Sequence, residues 1–215
     1  MDIKRYLSLH KAFNEVRQNT NPEQRVIFDE YAIMCLLSEK KTLSATQIAR
    51  EQCISCPTMT HRSSHLTSLG YLLSKMNERD HRRLDCSLTR KGSLATTKIT
   101  QKVIDTLAED DVLHGLSPKE IISITIQSGK LPLTADQHIL LAYAVDDLET
   151  EPVMNIVRNT NLLQPTVSMA LVRLCKEGLL KRGEEKSANE KPGYTITKAG
   201  LSSAKKFIKA IEALS

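Results

Sequence analysis

The chain has no tryptophan, and aromatic residues make up only 4% of its 215 residues. A core must therefore be built mostly from Leu, Ile, Val and Ala. No apolar run approaches the roughly 18 residues needed to span a bilayer, so no membrane partner is expected. The opening MDIKRYLSLH lacks the apolar stretch and small-residue cleavage site of a signal peptide. Five cysteines is an odd number for a disulfide framework and favours reduced thiols in a cytoplasmic setting. Also missing are a Gly-rich phosphate loop, an HExxH zinc motif and a nucleophile elbow. The expectation is a non-enzyme without a cofactor.

What is present is unevenly charged. Residues 1–108 carry 17 Lys/Arg against 11 Asp/Glu, and residues 109–215 carry 13 against 14. A polyanion would meet the first half more favourably.

The chain also repeats itself at an offset of 108. Cys56-Pro-Thr-Met aligns with Gln164-Pro-Thr-Val, and His65-Leu-Thr-Ser-Leu-Gly aligns with Arg173-Leu-Cys-Lys-Glu-Gly. Leu88-Thr-Arg-Lys-Gly aligns with Ile196-Thr-Lys-Ala-Gly. These matches need no gap. Two like domains, 1–114 and 115–215, are expected to join near Gly115, which punctuates the chain after a helical stretch.

Each copy reads as helices followed by a hairpin. In the first, Phe28–Ser38 carries a buried-helix pattern. Ser44 is a good N-cap for a short helix through Arg50. A turn leads to a helix starting near Pro57 and ending at Gly70, a glycine suited to the position after a helix. Strands are expected over Tyr71–Lys75 and Leu84–Leu88, and a long helix from Thr89 to about Leu113. The second copy repeats the order, with a short helix near Pro152–Arg158 and another over Pro165–Glu177. The fold class is mainly α with small β-hairpin wings (α+β), as two tandem winged helix-turn-helix domains. In that motif the second helix of the turn pair enters the major groove and the hairpin loop reaches the flanking DNA.

The span Gly70–Gly92 contains Asp80-His-Arg82 and then Leu88-Thr89-Arg-Lys-Gly92. It resembles the wing of MarR-type regulators, a bacterial-type family of transcription regulators, with its Asp-x-Arg followed by Leu-Thr-x-x-Gly. Two such domains in one chain resemble the double-domain members of the SarA branch. The resemblance implies a double-stranded DNA operator as partner, Arg82 as the wing contact and Asp80 as its organiser. Arg79 and Arg83 are phosphate partners by charge. The second copy keeps Ile196-Thr-Lys-Ala-Gly200 but has Ala188 and Glu190 in place of the Asp-x-Arg. The resemblance further implies two repeats acting as an internal pseudo-dimer. Further homodimerisation and release by a small-molecule effector or by cysteine oxidation are its other implications.

The first recognition helix offers Thr58, Thr60, His61, Arg62 and His65. The second offers Gln164, Thr166, Ser168 and Arg173, and its partly acidic loop makes it the weaker reader. Arg62 falls where the family usually buries an apolar residue, so a supporting role at the helix interface is its alternative. The run Cys53-x2-Cys56-x4-His61-x3-His65 superficially looks like a zinc set. Its gap of four is too short for the roughly 12 residues a hairpin needs to fold back, and the second copy lacks these side chains. No metal is expected. Cys56, with Cys53, is read either as a redox switch at the helix N-terminus, where the helix dipole favours a thiolate, or as a small residue capping the helix. Two other classes stand beside the regulator: a tandem winged-helix protein-interaction module and a replication initiator.

Overall fold

Helix α1 (Ile3–Gln18) comes first in the computed structural model, which describes residues 1–77, 84–183 and 192–214. The described residues are mainly helical with two small antiparallel sheets, as expected. They form two units, one of Val16–Pro132 and one of Met1–Glu15 with Leu133–Ser215.

In the Val16–Pro132 unit, α2 (Phe28–Lys40) is buried along most of its length. Strand β1 (Thr42–Ser44) follows, then α3 (Ala45–Glu51). Ser44 caps α3 reciprocally with Gln47: Gln47 N donates to Ser44 Oγ at 3.2 Å and Ser44 N donates to Gln47 Oε1 at 2.8 Å. This is a capping box, satisfying two backbone donors at once. After a turn come α4 (Cys56–Ser68), β2 (Leu72–Met76), β3 (Leu84–Leu88), α5 (Arg90–Thr106) and α6 (Pro118–Ser128). Helix α5 stops well short of Leu113, and a single 3-10 turn, Leu107–Glu109, follows it. The sheet order is β1-β3-β2. Strand β1 escapes sequence reading because three residues show no periodicity and their partners, Asp85 to Ser87, lie far along the chain. Tyr31, Met34, Ile48, Met59, Leu66, Val103 and Ile121 fill the core at 0–1% exposure.

The other unit repeats this order. It contains α7 (Ala135–Val145), β4 (Thr150–Glu151), α8 (Val153–Thr160), α9 (Gln164–Lys176), β5 (Leu180–Arg182), β6 (Tyr194–Ile196) and α10 (Lys198–Glu212). Its sheet order is β4-β6-β5. Ile139, Tyr143, Ile156, Val167, Leu171, Leu174 and Ala204 form its core.

The units are cut elsewhere than at the 114/115 division suggested by the repeat. Helix α6 lies beyond Gly115 yet packs on α2 and α5, where Gln52 Nε2 donates to the Ile126 carbonyl. Residues Met1–Glu15, in turn, pack with the second repeat. Asn14 Nδ2 donates to the Thr160 carbonyl at 3.2 Å, and the His10 and His138 rings meet edge-on at 6.2 Å between centroids. Both imidazoles are buried. Burial lowers the His138 pKa to about 4 and holds that of His10 well below its ordinary value, with His138 adding to the effect. A repeat aligns sequence but carries no record of which core an end helix joins.

The Leu-Thr-x-x-Gly and Ile-Thr-x-x-Gly motifs have a structural meaning in both units. Thr89 caps α5: its Oγ1 donates to the Gly70 carbonyl at 2.7 Å and accepts from Gly92 N at 2.9 Å. Thr197 does the same for α10, with Gly178 and Gly200 at 2.7 and 3.1 Å. A Cβ on Gly92 would overlap the Tyr71 carbonyl, and one on Gly200 the Leu179 carbonyl. The motif thus fastens the end of the hairpin to the turn that closes α4 or α9. That turn is made by Gly70 and Gly178, at φ +72° and +69°, a region open to glycine at little cost.

Candidate nucleic-acid interface

Helix α4 begins at Cys56 because Ser55 precedes it as N-cap, its Oγ accepting from Thr58 N at 3.3 Å. Pro57 occupies the first turn, where its missing N–H has no partner to lose. Met59 and Leu66, seven residues apart, are buried and hold one face to the core. That leaves Thr60, His61, Ser64, Thr67 and Ser68 exposed, with Thr58 half-buried. Cys56 and Pro57 are exposed in the first turn, and from Thr60 onwards the exposed residues are all polar. The Thr60 hydroxyl donates to the Cys56 carbonyl at 3.0 Å, which leaves its lone pairs facing outward as acceptors.

Arg62 and His65 turn the other way, towards the N-terminal end of α2. Arg62 Nη2 lies 3.4 Å from Asp29 Oδ2, and His65 Nδ1 lies 2.8 Å from Glu30 Oε1. Burial pushes the Asp29 carboxyl above its usual range, and the Arg62 guanidinium opposes that rise. Glu30 is itself buried and also accepts from Ile27 N at 2.9 Å. Arg62 and His65 thus each pair with a carboxylate at the start of α2.

In the second unit, Arg173 occupies the position matching His65. Its Nε donates to Asp136 Oδ2 at 3.0 Å, and Nη2 donates to the other carboxylate oxygen, a two-pronged pair at the N-terminal end of α7. Gln164 and Ser168 are exposed and Thr166 is half-buried. The wing residues Arg79, Asp80, Arg82 and Arg83 lie outside the described residues, as do Ala188 and Glu190.

The thiols Cys53 and Cys56 are both exposed. Cys53 has φ +51° in the turn between α3 and α4, and Asn161, its counterpart, has φ +48°. A left-handed residue is thus part of the turn in both units. The capping role considered for Cys56 belongs to Ser55. Among the described residues, no group of three His, Cys, Asp or Glu side chains is placed to hold a metal ion, and no helix is long and apolar enough to cross a membrane.

Sequence reading missed a cavity of about 260 Å³ in the Val16–Pro132 unit. Its walls come from α2, β3, α5 and α6, including Leu37, Lys41, Thr96, Thr100 and Ile122. No local pattern announces it, because four separated segments each supply a few residues. Thr96 and Thr100 donate their hydroxyl protons to the carbonyls one turn back, at 2.9 Å each. Thr100 Oγ1 in turn accepts from the Tyr31 hydroxyl at 2.8 Å, and the Lys41 ammonium donates to the Ser38 carbonyl at 3.0 Å.

No family model and no curated protein matches the chain. Among solved structures it is similar to a mutant of MarR from E. coli, at 15% identity and a TM-score of 0.42, over 67% of this chain and 89% of that one. It is similar to NadR in complex with 4-hydroxyphenylacetate, at 22% identity and a TM-score of 0.42, over 60% of this chain and 90% of that one. It is also similar to the YusO protein from Bacillus subtilis, at 18% identity and a TM-score of 0.40, over 60% and 83%.

Proposed function

We propose that this protein is a sequence-specific double-stranded DNA-binding transcriptional regulator of MarR/SarA type, built as two tandem winged helix-turn-helix domains acting as an internal pseudo-dimer. The observation that carries this reading is the polar outward face of α4, with Thr60, His61 and Ser64 exposed on a helix anchored by buried Met59 and Leu66. A rigid helix with donors and acceptors on its free side suits the edges of base pairs in a major groove. Thr58, Thr60 and His61 make the base contacts. Arg62 and His65 position the helix through Asp29 and Glu30. Arg79, Arg82 and Arg83 supply phosphate and wing contacts, with Asp80 organising the wing. Gln164, Thr166, Ser168 and Arg173 of the second domain add a weaker contribution.

Control falls to a small ligand in the cavity beside Lys41, or to oxidation of Cys53 and Cys56 at the start of the reading helix. Oxidation would act at the start of α4, and a ligand on the packing of α2, α5 and α6. The deciding experiment is selection of genomic fragments by the purified protein, followed by titration of an enriched duplex at two salt concentrations. Arg82→Ala is expected to weaken binding and flatten the salt dependence. Absence of any enriched fragment would remove the regulator reading.

A further inference from the structure

Four large apolar side chains of the second unit stand exposed: Met154 (46%), Leu163 (39%), Met169 (63%) and Val172 (68%). All four lie on α8, α9 or the residue that caps α9. At the matching positions, 108 residues earlier, the first unit carries Thr46, Ser55, His61 and Ser64, which are also exposed. Every exchange runs from polar to apolar, and one of the polar residues replaced, Ser55, is the N-cap of α4. On α9, Pro165, Met169, Val172 and Lys176 follow spacings of four, three and four, so they share one helical face, and all are exposed. Within the two helices the charge is one-sided as well. Neither α8 nor α9 contains an Asp or Glu. They carry Arg158, Arg173 and Lys176; the exposed Glu177 caps α9, and β5 then adds Lys181 and Arg182. Arg173 is matched by Asp136, whereas Lys176 closes the apolar stripe.

We propose that the exposed face of α8 and α9 is a docking surface for a protein partner, through an amphipathic segment with an apolar stripe flanked by acidic residues. The apolar stripe meets Met169 and Val172, and the acidic flanks meet Lys176 and Arg158. Duplex DNA fits this face poorly. Base edges present donors and acceptors that Met and Val cannot satisfy, beyond contact with a thymine methyl. Exposed apolar side chains sharing one helical face and flanked by charge mark a protein interaction site, and a helix laid against such a surface is a recurrent mode of recognition. The inference goes beyond the DNA reading, which places its main operator contacts on α4 and only a weaker contribution on Gln164, Thr166, Ser168 and Arg173, beside the Met169–Val172 stripe of α9.

The test uses the full-length protein and a fluorescent amphipathic peptide of about five helical turns, ~18 residues. The peptide has leucines along one face and glutamates on the flanks. The wild type is expected to bind it saturably. The double variant Met169→His/Val172→Ser, which restores the first unit's residues, should bind about tenfold more weakly. The second double variant, Met154→Thr/Leu163→Ser, guards against a folding defect in the first and should also weaken binding. A peptide with lysines for the glutamates should not bind. Equal peptide affinity in wild type and both variants, or none in the wild type, overturns the proposal. So does a loss of affinity for an enriched duplex in the variants, which would give the face to DNA. Self-association of the wild type that the variants abolish, without peptide binding, would give it to a second copy and also overturn it. A wild type that takes the peptide but enriches no duplex strikes the DNA reading alone.

Discussion

At the centre of its exposed face, α4 carries His61 where α9 carries Met169; one turn on, Ser64 answers to Val172. Beneath, the two helices agree. Met59 and Val167 are buried, as are Leu66 and Leu174, and Ile48 and Ile156 fill the same place on the preceding helix. The turns agree too, with Gly70 and Gly178 at positive φ and Thr89 and Thr197 bonded back to them. Buried and turn positions are held by packing and backbone geometry. Exposed positions are free of both, so the outward faces can serve different partners on one scaffold.

The largest expected effect tests that shared skeleton. Gly92→Ala and Gly200→Ala each place a methyl group against a backbone carbonyl that cannot swing aside. Each should destabilise its own unit by about 3 kcal/mol or more, read by hydrogen exchange resolved to Val16–Pro132 or to the second unit. If both variants exchange like the wild type, the close approach of hairpin and helix turn is wrong.

Acid separates the two units next. The folded pKa of His138 is lowered to about 4 from 6.5, and that of His10 is lowered too. In that window the unfolded chain binds protons that the folded unit does not. Stability is thus fully present above pH 6.5 and is lost as pH falls towards 4, on the order of 3 kcal/mol for His138. In the Val16–Pro132 unit, His61, His65 and His114 are exposed or half-buried. Acidification should therefore open the second unit first. Simultaneous loss of protection in both units would contradict the buried imidazole pair.

The carboxylates at the starts of α2 and α7 offer a third contrast. His65→Ala strands the Glu30 carboxylate at 1% exposure, at a cost of about 2 kcal/mol, and should lower the melting temperature. Arg173→Ala breaks a pair that stands open to solvent, where ion pairs contribute little, and should leave melting unchanged. An equal fall in both variants would mean that burial does not distinguish the pairs.

Much of this architecture is legible in the sequence because its signals are local. Ser44, Thr89 and Thr197 each cap a helix within three residues of the donor they serve, and the glycines close turns nearby. Non-local features leave no such trace. Strand β1 is three residues that matter only through Asp85–Ser87. His10 meets His138 from the far end of the chain, and the Asp29 carboxylate beside Arg62 comes from 33 residues earlier. The polarity contrast between α4 and α9 was present in the sequence, but exposure had to be known before Met169 and Val172 could be told from core residues.

The smallest effect bears on partner choice itself. His61→Ala removes an exposed donor and acceptor from the middle of α4 and touches no core residue, so folding should be unaffected. Affinity for an enriched duplex should fall about tenfold, the scale of a good base contact. Met169→Ala removes an exposed apolar group from the matching place and should change duplex affinity less than about twofold, because a thioether contributes no comparable hydrogen bond. Fluorescence anisotropy on one duplex compares the two directly. Equal losses would make the two helices readers of the same groove, and the apolar surface of α9 would then need a DNA explanation. A loss confined to His61 keeps the two partners on separate helices.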